Sequence, residues 1–136
     1  MHTTNYNNAF IAIADDCPVT VAEIPPQKGT GKTVANIEYE MIKNHPYQYT
    51  SDEVLFQVYA TKNNVSKADW NLEKQKFFSK GQPCLRSSPL TKRYGWGVHF
   101  NADGKIALYA VESDEYRVFF QDKTLKIVKA MRSKRA

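Results

Sequence analysis

At 136 residues, 42% hydrophobic and 24% charged, the chain has the size and composition of one globular domain with its own core. Its two cysteines make no disulfide framework, no apolar run approaches the ~18 residues that span a membrane, and the opening M-H-T-T-N-Y-N-N lacks the basic start of a signal peptide. The net charge of +5 is uneven: residues 1–60 carry three lysines against seven acidic residues, −4, and residues 61–136 carry sixteen Lys and Arg against seven, +9. The expectation is a single cytoplasmic domain over 1–136 with no membrane partner, its basic half suited to a phosphate, a nucleic acid or an acidic protein.

In chain order, A-F-I-A-I-A at 9–14, ended by Asp15-Asp16-Cys17-Pro18, reads as a short buried strand. Residues 19–33, with Pro25-Pro26 and Gly29-Thr30-Gly31, read as a loop. Thr33 can cap a helix to about Asn44 with Val34, Ile37, Met41 and Ile42 on one face, stopped by Pro46. Thr50 with Glu53 is a capping box opening a second helix, whose apolar face is Val54, Leu55, Val58 and Tyr59. A third starts near Ser66, with Asp69 as its acidic partner, and presents Trp70, Phe77 and Phe78 before Gly81.

Residues 82–93 read as an irregular basic loop punctuated by Pro83 and Pro89. From Tyr94 the period becomes two: Tyr94, Trp96, Val98 and Phe100 alternate with Gly95, Gly97 and His99. Asn101 to Gly104 is a turn, and Lys105 to Val111 returns as a strand apolar on both faces. Ser113 caps a helix with Tyr116, Phe119 and Phe120 on its core side, and Leu125 to about Ala130 makes a last strand before the basic tail 131–136. The order β-ααα-β-β-α-β predicts an α+β fold: about four strands in an antiparallel or mixed sheet, with three to four helices packed mainly on one face.

Few motifs carry chemistry. K-G-T-G-K-T at 28–33 resembles a phosphate-binding loop in Gly31, Lys32 and Thr33, but the position of its first glycine is Pro26; it reads as a glycine-rich lead-in to the first helix. His2, His45 and His99 are scattered, so neither a metal nor a cofactor is expected. Cys17 reads as structural. Cys84 stands among Arg86, Lys92 and Arg93, cations that would lower a thiol pKa, with His99 on the next strand as a base; the simpler reading is a small buried thiol. The same loop could grip a phosphate or carboxylate through Arg86, Lys92 and Arg93, with Tyr94 and Trp96 as a flat wall and His99 beside them. Lys126, Lys129, Arg132, Lys134 and Arg135 read as a nucleic-acid patch or a solvated strand edge. The acid pairs Glu38/Glu40, Asp52/Glu53 and Asp114/Glu115 read as solubilising or capping charge.

The strings H-P-Y-Q-Y-T-S-D at 45–52, F-F-S-K-G-Q-P-C at 77–84, S-P-L-T-K-R-Y-G-W-G at 88–97 and K-A-M-R-S-K-R at 129–135 together resemble a small bacterial family of uncharacterised proteins over nearly the whole chain, with His45 where the family has Asn. That family has no assigned activity, so the resemblance implies no substrate and no catalytic residue. The stretch 91–108 is similar to the first hairpin of the N-terminal domain of the competence regulator TfoX, which implies a nucleic-acid or regulatory role. The leading expectation is a non-catalytic binding domain for an anionic small molecule or acidic partner at residues 84–99. The alternatives are a thiol-dependent enzyme using Cys84 and a nucleic-acid-binding domain.

Overall fold

The computed structural model describes residues 2–27 and 29–133. Along the chain it forms β1 (Ala9–Ala12), α1 (Val34–Asn44), α2 (Ser51–Lys62), α3 (Trp70–Phe77), α4 (Pro89–Lys92), β2 (Trp96–Phe100), β3 (Ile106–Ala110), α5 (Asp114–Gln121) and β4 (Lys126–Lys129). The four strands make one sheet in the order β3-β2-β1-β4. β1 runs antiparallel to β2 and parallel to β4, so the sheet is mixed and the fold is α+β. No helix among the described residues is long and apolar enough to cross a membrane.

Side-chain alternation on β1 divides the core in two. Ala9 and Ile11 join Val98 and Phe100 of β2, together with Ile42 of α1, Val54 of α2 and Leu90 of α4, in the larger cluster. Phe10 and Ala12 point the other way and meet Tyr116 of α5. Both sheet faces are therefore covered, which is why all four residues of β1 are apolar and buried. A third cluster, Phe56, Ala60 and Phe78 with Trp70 and Phe77 against it, fastens α3 to α2.

The helix starts follow their caps. Thr33 Oγ1 accepts from Asn36 N at 3.2 Å while Asn36 Oδ1 accepts from Thr33 N at 2.9 Å. At α2, Thr50 and Glu53 make the same reciprocal pair at 3.2 and 2.9 Å. Each box satisfies two of the N–H groups that a helix start leaves without partners. Near Ser66 the outcome differs: its hydroxyl donates to Asp69 Oδ2, a short 3-10 turn covers Lys67–Asp69, and the α-helix begins only at Trp70.

Three further expectations need correction. Residues 82–93 are not irregular: a 3-10 turn at Leu85–Ser87 runs into α4, with Ser88 capping it and Pro89 at its first position. Proline there begins a helix, because the N–H it lacks has no intrahelical partner in any case. Leu85, Leu90 and Thr91 are buried beneath this segment and anchor it. On β2, Tyr94 lies outside the strand, because Gly95 adopts φ +81 where the backbone passes Ala22. On α5, Tyr116 is buried but Phe120 is 42% exposed: Phe119 packs on the core side, and Phe120 stacks on the outer flank of Tyr116.

Candidate functional site

Between α1, α2, the end of α3 and the 82–89 segment lies a cleft of about 250 Å³. Its walls are Val34 of α1, Leu55, Val58 and Tyr59 of α2, Phe77 of α3, and prolines 83 and 89. The packing that opens it follows from two local choices. The Thr33 cap sets the start of α1 so that Val34 and Glu38 face α2, and Pro89 turns the chain so that residues 82–89 close the third side.

One carboxyl stands in this apolar surround. Glu38 is only 2% exposed, lines the cleft, and accepts a single hydrogen bond, from Ser88 Oγ at 2.6 Å. Ser88 Oγ in turn accepts from Leu90 N at 3.1 Å, so the α4 cap also orients Glu38. No Lys or Arg lines the cleft among the described residues. Burial raises the Glu38 pKa to about 7 against the small opposing effect of the Ser88 bond, because a carboxylate taken out of water without a cation favours its neutral form. Glu38 is thus neither a solubilising charge nor a cap, as its sequence neighbourhood suggested. Its companion Glu40 is: it sits half-exposed 2.6 Å from Lys32.

Cys84 lines the same cleft, half-buried and unpaired, with Tyr6 Oη 3.8 Å from its sulfur. Burial, and then the neighbouring Cys84, push the Tyr6 hydroxyl above its ordinary pKa, so it stays protonated at neutral pH. Cys17 is likewise free of disulfide and packs against the main core.

The other expected site residues go elsewhere. Arg86 Nε donates to Lys129 O at 2.7 Å, and Arg86 O accepts from Met131 N at 2.8 Å, so this residue ties the exit of β4 to the 82–89 segment. Arg93 lies in a second cleft, of about 270 Å³, with Asp16, Pro18 and Ser133. Lys92 ends α4, half-buried. Trp96 is buried, its Nε1 donating to Glu23 O at 2.8 Å and its ring 5.4 Å from Tyr39, so it offers no free face for a ligand. Tyr94 packs part-buried on the same cluster.

His99 and Cys84 are not brought together. His99 alternates with Val98 and Phe100 and so points to the α5 face, where its ring stacks 4.1 Å from Phe119. Its Nδ1 is 2.8 Å from Tyr47 Oη, which is also 2.8 Å from Tyr109 Oη. Burial lowers the His99 pKa, partly opposed by Asp122, and raises that of Tyr47. The Tyr47 hydroxyl thus bridges the His99 ring and the Tyr109 hydroxyl. Tyr47 takes φ +60 to reach this position, an unusual backbone for a bulky side chain.

At the strand exit, Lys129 Nζ meets Asp15 at 2.8 Å and Ser133 N donates to Asp16 Oδ2 at 2.9 Å. Lys126 Nζ lies 5.5 Å over the Tyr6 ring. Lys134 and Arg135 of the expected basic tail, and Lys28 of the glycine-rich lead-in, lie outside the described residues. No cluster of three or more His, Cys, Asp or Glu side chains able to hold a metal occurs among the described residues.

The chain belongs to the family of unknown function DUF6157, whose family model matches residues 1–136. No curated protein and no solved structure matches it.

Proposed function

We propose that the protein is a non-catalytic binding domain whose site is the cleft around Glu38, and that it takes a small molecule with an apolar body and one polar head. The observation that carries this reading is a buried carboxyl with one hydrogen bond among the described residues, set in a concave surface that is mostly apolar, with Gln82, Ser87 and Ser88 among its other polar side chains. Ligand sites commonly combine apolar walls with a few placed polar groups. A cavity of about 150 Å³ accepts a benzene ring, so this one suits a single ring or a short chain. Two unpaired cysteines fit a reducing, cytoplasmic setting.

The anionic ligand expected from Arg86, Lys92 and Arg93 has less support, because Arg86 is engaged at β4 and Arg93 lines a different cleft. A thiol-dependent enzyme remains the second reading on one observation: Cys84 opens into the same cleft. Its base would have to be Glu38, which lines the same cleft, rather than His99. A nucleic-acid surface, the third reading, would lie along Lys126, Lys129 and Arg132, where binding would fall steeply with salt.

Iodoacetamide labelling of Cys84 in a Cys17→Ser background tests the proposal. Neutral single-ring compounds such as benzyl alcohol should slow labelling saturably, and filling the cleft by Leu55→Trp should abolish that protection. Labelling indifferent to every ring compound would refute binding at the cleft. A native rate well above that of free cysteine near neutral pH would promote the enzyme instead.

A further inference from the structure

We infer that the head of the cleft's ligand is a cationic amine, so that the molecule bound is a small aryl- or alkyl-amine whose ammonium pairs with Glu38. This rests on the binding reading above and adds the chemical class of the ligand.

The argument starts from what Glu38 lacks. A buried carboxylate is ordinarily matched by a cation or by several donors. Glu38 has one donor, Ser88, among the described residues, and no charged group contributes to its electrostatic surroundings. The titratable side chains lining the cleft with it are Cys84 from the 82–89 segment and Tyr59 from α2; no Lys, Arg, His or Asp joins them. Glu38, though only 2% exposed, is among the residues that line the cleft. An ammonium entering there would supply the missing partner and gain a charge-assisted bond away from bulk water. A carboxylate ligand would meet no cation and a repelling oxygen. A neutral alcohol could be bonded but would leave the charge of Glu38 unmatched.

The apolar walls set the remainder of the molecule. Leu55, Val58 and Phe77 line the same cleft of about 250 Å³, room for roughly one ring with a short linker on the scale of a benzene-sized cavity. Ligand uptake is then coupled to protons. With Glu38 half-protonated near pH 7, the amine must expel that proton at lower pH, and its affinity should fall towards about tenfold per pH unit below that point.

The test compares 2-phenylethylamine, 2-phenylethanol and 3-phenylpropanoate by amide-shift titration of the isotope-labelled protein at pH 8.0 and pH 5.5. For the wild type at pH 8.0 the amine should bind at least about tenfold tighter than the alcohol, the size of one good charge-assisted bond. Most of that advantage should vanish at pH 5.5. Glu38→Gln, which keeps an acceptor for Ser88, should remove the advantage of the amine over the alcohol at both pH values. Leu55→Trp should abolish all three. Equal binding of amine and alcohol by the wild type would overturn the amine inference and leave the binding reading standing. Tightest binding by the carboxylate would overturn it too, since Glu38 would then act as a donor. If none of the three shifts the cleft amides, the inference falls together with the binding reading.

Discussion

Replacing Glu38 by Gln should make the protein more stable at alkaline pH and leave it unchanged at acid pH. Below the ordinary glutamate value of 4.5, both folded and unfolded chains hold the proton, and an amide imitates the neutral acid. Between 4.5 and about 7 the folded chain keeps a proton that the unfolded chain releases, so the wild type loses stability as pH rises. Above about 7 the loss is complete. The full swing corresponds to about 3 kcal/mol at 1.36 kcal/mol per unit, a sizeable share of the ~5–15 kcal/mol that holds a domain together. Gln preserves the Ser88 bond through its carbonyl. Urea unfolding of both proteins from pH 4.5 to 8.5 would measure the difference, which other titrating groups affect equally. The midpoint gap should open with pH to about 1–2 M urea, taking a slope of about 1.5–3 kcal/mol per M. A gap that stays flat over that range would refute a raised Glu38 pKa, and with it the claim that this carboxyl is buried without a cationic partner.

Three other substitutions probe the scaffold. Gly97→Ala would place a Cβ 2.5 Å from Phe10 Cζ and 2.7 Å from Tyr116 Cε2; it should cost about 1–3 kcal/mol by overpacking and loosen α5 first, visible as faster amide exchange in Asp114–Gln121. Thr50→Ala removes the α2 cap and should lower stability by about 1 kcal/mol in the same urea assay. Tyr47→Phe deletes the hydroxyl joining His99 to Tyr109 and should cost about 1–2 kcal/mol. In the wild type, His99 should titrate by NMR below its ordinary 6.5, so its contribution to stability is present above that value and lost as pH falls beneath it; a midpoint at or above 6.5 would contradict the burial of the ring.

Much of the fold was legible because capping and periodicity act locally. Thr33, Thr50 and Ser113 each start a helix where their hydroxyls can meet an early N–H, and the two-residue period from Trp96 marks β2. The 82–93 segment was misread because Pro89 was taken for a breaker when it stands at a first helical position. The placement of the basic side chains was not legible for a different reason. Charge density drew attention to Arg86 and Arg93, yet nothing local says that a guanidinium will bond a backbone carbonyl forty-three residues away. Two signals were nonetheless present in the sequence. Trp96 and His99 are three positions apart on one strand, so they cannot line one face. Glu38 lies four residues after Val34 and four before Ile42, in the middle of the apolar stripe of α1. A carboxylate in that place must be buried with the stripe, which is what the structure shows.

The 82–89 segment is what joins the cleft to the rest of the molecule. Its Ser88 holds Glu38, its Arg86 holds the exit of β4, and Leu85 anchors it beneath both. Just beyond it, Thr91 O accepts from Ala14 N at the end of β1. A ligand that drew Glu38 away from Ser88 would therefore disturb the cap of α4, and through Arg86 the loss would reach the basic strand exit on the far side of the segment. The acid in the cleft and the cations at the surface, which look unrelated along the sequence, are fastened two residues apart on one short segment, through Ser88 and Arg86. Any change in ligand occupancy should be felt at Lys129 and Met131 before it is felt at the Tyr47–His99 cluster, because the sheet stands between the latter and the cleft.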